Sequence, residues 1–325
     1  MIEADRQPLH HYLTFMGRGP KQAAHFEHWS CPDAETFLTG IDYFEAPREC
    51  RLRLRELYPE LRLGVPDSNS PIPRPSDSAF KEGDASTTRW GEGRSWHFDW
   101  GARFKTLEDV LSFSPLEQGD FREIPVVESH DYRDEEALYR WLRSRFPEEW
   151  GSVAPTDQDA VICFYNTMFM WPLLTFGWEW FLEASLEEEF DRLMEEFAEL
   201  SRRMFRSIAR CPANVVICHD DIVTARGPTC SPAWMAKHIF PRYEEFFHML
   251  RASGKKVVFM VDGNMDAYVD DVFACGAQGI ITEPYTDLRA VAARYPDCVI
   301  AGEGDNRILS RNDPAEIRAM VEFMA

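Results

Sequence analysis

The residues with the most chemistry in this chain fall in its last third. His219-Asp220-Asp221 is a contiguous trio. Asp262 and Asn264 flank Gly263, and Glu283, Glu303, Asp305 and Asn306 follow. Two carboxylates held close together cannot both ionise easily, so one keeps a proton into the range useful for acid catalysis. A histidine beside them adds a group that titrates near neutral pH. Asp262, Asp220, Asp221 and His219 are therefore the candidate catalytic groups. Asn264, Glu283, Glu303, Asp305, Asn166 and Tyr165 are candidates for holding a substrate. An acidic ring of this kind can bind a tertiary or quaternary amine with help from Trp or Tyr faces. With one imidazole it can instead hold a hard divalent cation, and the expected ligands are His219, Asp262 and Glu283. Each residue also has a plainer use: Asp262 and Asp305 are placed to cap following helices, and a lone histidine at a strand end is often a satisfied structural group.

The elements that bring these residues together are short apolar runs. Val215-Val216-Ile217, Val257-Val258-Phe259-Met260-Val261, Gly279-Ile280-Ile281 and Cys298-Val299-Ile300-Ala301 read as strands covered on both faces, as in a parallel sheet. Helical patterns separate them, which gives consecutive βα units. Ligands bind at the carboxyl ends of such strands, and nearly every run ends in the acidic or polar residues named above. An earlier run, Ala160 to Tyr165, ends in Asn166. Successive strand residues face opposite sides, so His219 and Asp221 are expected to point one way and Asp220 the other.

Around this stretch the patterns are coarser. Residues 6–15, 33–40 and 46–57 read as helices, residues 23–29 as a short strand, and 64–88 as a Pro/Ser/Asp-rich loop or lid. Trp90, Trp96, Phe98, Trp100 and Phe104 suggest a hairpin with one buried face. Helices are expected at 106–113 and 134–146. One long amphipathic helix is expected from Trp180 to Arg210, with Leu182 and Leu186 on its apolar stripe. Ser231-Pro232 starts another that Gly254 stops, and helices at 266–275, 286–295 and 313–325 alternate with the late strands.

The chain has 325 residues, 35 Lys plus Arg and 55 Asp plus Glu, for a net charge of -20. That balance exerts no overall pull on nucleic acid or anionic membranes. The eight cysteines form no C-x-x-C pair, and several sit in apolar runs as small hydrophobes. No apolar run reaches the roughly 18 residues of a membrane span, and the N-terminus lacks a signal-like core. The expectation is a cytoplasmic protein that binds a small molecule, not nucleic acid or membrane.

Ser231-Pro232, Phe240-Pro241-Arg242-Tyr243, Gly254-Lys255-Lys256, Asp262-Gly263-Asn264, Cys275-Gly276-Ala277, Glu283-Pro284 and Gly302-x-x-Asp305 occur in a fixed order. With Asp220-Asp221-Ile222 ahead of them, this set resembles the uroporphyrinogen decarboxylase-like superfamily, clearly from about residue 160 onward. The resemblance implies a distorted α/β fold of the (β/α)8 TIM-like barrel kind with N-terminal helical additions. The whole of 1–325 would be one barrel domain, with 1–60 as a helical N-terminal portion and 64–88 as the loop or lid. The chain stops one strand short of the family pattern.

That superfamily includes the haem-pathway decarboxylase and methyltransferases that serve corrinoid proteins or thiols. The implied activity is methyl transfer from a small substrate to a corrinoid protein or a thiol, with strand-end carboxylates as acid and base. A decarboxylase or lyase acting on a small carboxylic acid, and a non-catalytic binding protein on the same scaffold, are the alternatives. The resemblance also suggests a homodimer and a corrinoid-carrying partner. It stops short of the family zinc: where the zinc-dependent members have His-x-Cys, this chain has Met260 and Asp262. The arginine-rich segment that grips a polycarboxylate in the haem-pathway enzyme is likewise missing from Phe15-Met16-Gly17-Arg18-Gly19.

Overall fold

A computed structural model of the chain describes residues 32–58, 66, 68–72, 87–89, 95–97, 103–118, 131–146, 148–154, 160–302 and 304–324. The helix expected at 6–15, the strand expected at 23–29 and most of the 64–88 loop lie outside these residues. The chain divides into two compact units, Met1–Asp99 and Trp100–Ala325. In the first, α1 (Pro32–Thr39) packs on α2 (Pro47–Leu57). Each begins with proline, whose fixed φ and missing N–H suit the first helical turn. Arg51 of α2 donates from Nε and Nη2 to the fully buried Glu35 of α1 at 3.0 and 3.2 Å, a two-point pairing that satisfies a charge held away from water. A two-stranded antiparallel ladder, β1 (Thr87–Arg89) with β2 (Ser95–His97), completes the described part of this unit. The side chains of Trp90, Trp96, Phe98 and Trp100 lie outside the described set.

The second unit is built on five parallel strands: β3 (Val161–Phe164), β4 (Val215–His219), β7 (Lys256–Val261), β8 (Gly279–Thr282) and β9 (Val299–Gly302). They are hydrogen-bonded in the order β3-β4-β7-β8-β9. The order in space follows the order in the chain, because helical connections return each strand beside its predecessor. A small antiparallel pair, β5 (Val223–Thr224) and β6 (Gly227–Pro228), is inserted after β4. Every residue of β4 is buried, as its continuous apolar run requires. The expected strands at 160–165, 215–217, 257–261, 279–281 and 298–301 are all present within a residue or two.

The helices of this unit are α3 (Leu107–Leu111), α4 (Glu135–Arg143), α5 (Met170–Ala184), α6 (Phe190–Arg210), α7 (Pro232–His238), α8 (Phe240–Ala252), α9 (Val269–Ala274), α10 (Leu288–Arg294), α11 (Asn306–Arg311) and α12 (Pro314–Met324). The expected single helix over 180–210 is two helices. α5 already begins at Met170 and kinks at Gly177, and a turn at 185–189 separates it from α6. Across that turn the apolar stripe changes phase, so Leu182 and Leu186 are exposed rather than buried, at 49% and 85%. α6 then buries Phe197, Leu200, Met204, Phe205 and Ile208 against α4, α5 and α8.

The helix expected from Ser231 is likewise split. Ser231 Oγ does cap α7 by accepting from Trp234 N at 3.2 Å. Pro241 has no N–H for the Lys237 carbonyl, so the helix breaks at Ile239 and restarts as α8. Arg242 Nη1 fills that gap, donating to Lys237 O at 3.0 Å. The unforeseen α11 begins where Asp305 accepts from Arg307 N.

One apolar core runs through the second unit, joining the strands to α3–α10. Phe104 belongs to it, edge-on to Phe113 and Phe176 at 5.6 and 5.1 Å between ring centres. The seven cysteines among the described residues are free. No helix among those residues is long and apolar enough to cross a membrane.

Candidate functional site

The carboxyl ends of the five strands lie along one edge, and the polar strand-end residues meet there. His219 is the last residue of β4, and Asp221 follows two positions later, on the same side. His219 Nε2 and Asp221 Oδ1 are 3.0 Å apart. The same Asp221 oxygen accepts the backbone N–H of Asp262 at 2.9 Å, which fixes the end of β7 against the end of β4. Potential ligand atoms of His219, Asp221 and Asp262 all lie within 4.8 Å of one another. His219 is buried, Asp221 half-buried and Asp262 exposed at the opening.

This arrangement raises proton affinity. Burial opposes charge on His219. The hydrogen bond that His219 donates to Asp221 and the charges of Asp221, Asp262 and Asp220 outweigh it, and the imidazole pKa is raised. Asp262 has solvent on its outer side and protein crowding its inner side. That desolvation first, then the Asp221 charge, pushes its carboxyl up against the opposing pull of His219. Glu283 at the end of β8 is raised too, by desolvation and then by the charges of Asp262 and Asp221. The site is thus a set of carboxylates around an imidazole, with proton affinity raised at His219, Asp262 and Glu283.

Asp220 points away from this cluster, as the strand alternation requires, into the layer between sheet and helices. It is fully buried. Its Oδ2 accepts from Met168 N at 2.7 Å, Phe169 N at 2.6 Å and the Tyr243 hydroxyl at 2.7 Å, and its Oδ1 from Met170 N at 2.7 Å. Burial pushes its pKa up to about 6, while the Tyr243 hydroxyl and the three backbone N–H groups pull it down. Four donors are what a carboxylate needs to stay in such a place.

The turn leaving β3 carries Tyr165 and Asn166. The Tyr165 ring lies 5.0 Å from the His219 ring, tilted by 56°. Asn166 is fully buried, and neither atom of its side-chain amide has a partner among the described residues; the same holds for His219 Nδ1. On the other flank, Gly263 turns β7 away from the sheet at φ +132°, and a Cβ there would lie 2.7 Å from the backbone C and O of Thr224. Thr282 and Thr286 Oγ1 both donate to Gly263 O, at 3.0 and 3.2 Å. Asn264 spends its side-chain oxygen on Asp266 N at 3.0 Å.

The expected site residues therefore divide. His219, Asp221 and Asp262 converge, with Tyr165 and Glu283 beside them. Asp220 and Asn264 serve the local backbone. Asp305 caps α11 and pairs with Arg307, whose guanidinium lowers its pKa to about 2. Glu303 lies outside the described residues. A cation held here would meet His219, Asp221 and Asp262, so Asp221 stands where Glu283 was expected, because its carboxylate already bridges the β4 and β7 ends. One imidazole and two carboxylates suit a hard or borderline divalent ion. They do not fit a thiolate-activating zinc: Met260 offers a thioether and Asp262 an oxygen where nitrogen and thiolate are needed.

Tyr243, Thr167 and Ser201 escaped sequence reasoning. In the sequence Tyr243 stands as the end of the Phe240-Pro241-Arg242-Tyr243 segment, with no role assigned to its hydroxyl. The available signal was its hydroxyl, since a buried tyrosine usually finds a partner for its O–H.

Residues 179–325 match the family model described as Uroporphyrinogen decarboxylase (URO-D). No curated protein matches the chain. The match runs from within α5 through α12, and with it covers every converging residue except Tyr165. Over these residues, just under half of its length, the chain is similar to the uroporphyrinogen decarboxylase-like superfamily, whose members are generally decarboxylases and methyltransferases.

Proposed function

We propose that this protein is an enzyme that moves a methyl group from a small neutral or cationic methylated substrate to a thiol or to the corrinoid of a partner protein. The observation that carries the reading is the His219–Asp221–Asp262 cluster: a buried imidazole bonded to one carboxylate, within reach of a second, and biased toward its protonated form. In methyl transfer the bond between methyl carbon and heteroatom breaks as the carbon–acceptor bond forms; a cationic amine departs as the neutral amine, whereas the departing heteroatom of a neutral substrate needs a proton. His219 or Asp262 supplies it, and Asp221 holds the imidazole in place. A thiol or corrinoid contributes the nucleophile that receives the methyl group. The carboxylates of Asp221, Asp262 and Glu283 repel an anionic substrate and favour a methylated amine or ether over a small carboxylic acid.

On this reading the parallel sheet is the contiguous part of a (β/α)8 barrel, and the protein works in the cytoplasm as a homodimer. The superfamily match and the sequential parallel strand order support the barrel. The test is incubation of the purified protein with 13C-methyl amines and ethers and either a reduced corrinoid or a thiol, with the methylated acceptor read by mass spectrometry. Product that disappears with His219→Gln and Asp262→Asn is the expected result. Carbon dioxide release from a small acid without methyl transfer replaces the reading with decarboxylation, and neither product removes it.

A further inference from the structure

We propose that Tyr243 of α8 and Asp220 are positioning residues for His219, acting through the turn at residues 165–170. The inference rests on the role of His219 given above, but its geometry stands independently. Asp220 gathers three successive backbone N–H groups, those of Met168, Phe169 and Met170, onto one carboxylate. Tyr243 closes the set from α8 by donating its hydroxyl to Oδ2. Three N–H groups converging on one side chain pin a turn more firmly than any one bond, because all must break for the turn to shift.

That turn touches His219 from two sides. Thr167 donates to the His219 carbonyl from its backbone N at 3.4 Å and from Oγ1 at 3.1 Å. The Tyr165 ring lies against the imidazole at 5.0 Å. Ser201 of α6 holds the turn from behind, donating to Thr167 O at 2.8 Å. The imidazole is therefore placed by its own strand, by Asp221 in front, and by a turn whose position Asp220 and Tyr243 set. Asp220 faces the sheet–helix layer rather than the opening, so it acts through the turn and not on a substrate.

The test compares Tyr243→Phe and Asp220→Asn with the parent protein, with Tyr268→Phe as control. The Tyr268 hydroxyl also donates to a backbone carbonyl, that of Cys230 at 2.7 Å, but Tyr268 has no part in this turn. Amide exchange at residues 168–170 and the ring proton signals of His219, assigned with His219→Gln, are read by nuclear magnetic resonance. In Tyr243→Phe the three amides are expected to exchange about tenfold faster or more, the scale of one lost bond to a charged acceptor. The His219 ring signals are expected to move as the Tyr165 ring shifts. Asp220→Asn keeps one acceptor oxygen and should give a smaller change in both readouts than Asp220→Ala. Tyr268→Phe should leave both untouched.

Unmoved His219 signals in Tyr243→Phe and in Asp220→Asn overturn the proposal, whatever happens to stability. If Tyr243→Phe does not fold, Asp220→Asn alone decides it. None of these readouts needs turnover. Intact activity in His219→Gln would therefore sink the catalytic reading while leaving the positioning result to be judged by itself.

Discussion

Asp221 Oδ1 lies 3.0 Å from His219 Nε2 and 2.9 Å from the backbone nitrogen of Asp262. One oxygen therefore orients the imidazole and ties two neighbouring strand ends together. Replacing Asp221 by Asn keeps the shape and removes the charge. The His219 pKa should fall, since the Asp221 hydrogen bond and charge lead the effects that raise it against burial. A raised histidine pKa stabilises the fold fully below its unfolded value of about 6.5, and that contribution fades as pH climbs through the folded value. Asp221→Asn should shrink this contribution and lower turnover in the proposed methyl transfer about 10²–10⁴-fold, the range for loss of general-acid catalysis. Titration of the His219 ring signals and the pH profile of turnover check both halves.

Asp220 carries a linkage of its own. Its pKa is about 6 in the folded protein, against an ordinary value of 3.8. An acid whose pKa rises on folding binds its proton more tightly in the native state, so stability falls as pH climbs between those two values. Relative to Asp220→Asn, the parent protein should lose on the order of 3 kcal/mol of unfolding free energy between pH 4 and pH 7, from about 1.4 kcal/mol per pKa unit. Urea unfolding of the two proteins at both pH values measures it. A flat difference would mean that the four donors already hold the carboxylate at its ordinary pKa.

Gly263 is where the β7 end needs a residue without a side chain. Its φ of +132° and the 2.7 Å approach to the Thr224 backbone leave no room for a methyl group. Gly263→Ala should destabilise the protein by about 1–3 kcal/mol, the scale of local backbone strain. It should also disturb the hydrogen bond from Asp262 N to Asp221. Thermal unfolding reads the first effect and the His219 ring signals the second. Loss of stability with an unmoved His219 would separate the turn from the site.

The parallel sheet was readable because buried parallel strands leave continuous apolar runs, and β4, β7 and β8 do so within a residue or two of the expected limits. The side taken by His219, Asp220 and Asp221 was readable from the two-residue period of a strand. Other features depend on contacts distant in the chain. Nothing local says that Tyr243 reaches Asp220 or that Asp305 turns to Arg307 instead of the opening. The break at Ile239 had a local cause in Pro241, yet the apolar pattern on both sides of it is that of one helix. The turn at 185–189 was masked in the same way, because Leu182 and Leu186 keep helical spacing while tertiary packing leaves them exposed.

Asp262 decides between proton chemistry and metal chemistry at this opening. It stands where a thiolate would be required to hold a zinc ion of the superfamily type, and with His219 and Asp221 it forms a set of one nitrogen and two oxygen donors. Such a set favours harder cations, and any ion that binds must displace the proton that His219 favours. The purified protein should therefore carry no stoichiometric zinc by elemental mass spectrometry. Asp262→Cys should increase zinc retention, because one thiolate beside an imidazole moves the donor set toward what zinc prefers. Asp262→Asn should lower turnover about 10²–10⁴-fold if the carboxyl group moves a proton. Its effect on substrate affinity should be smaller for a neutral ether than for a cationic amine, which loses an attracting charge. Stoichiometric zinc in the parent protein, lost on Asp262→Asn, would instead make the carboxylate a metal ligand, and His219 could then no longer serve as the free acid.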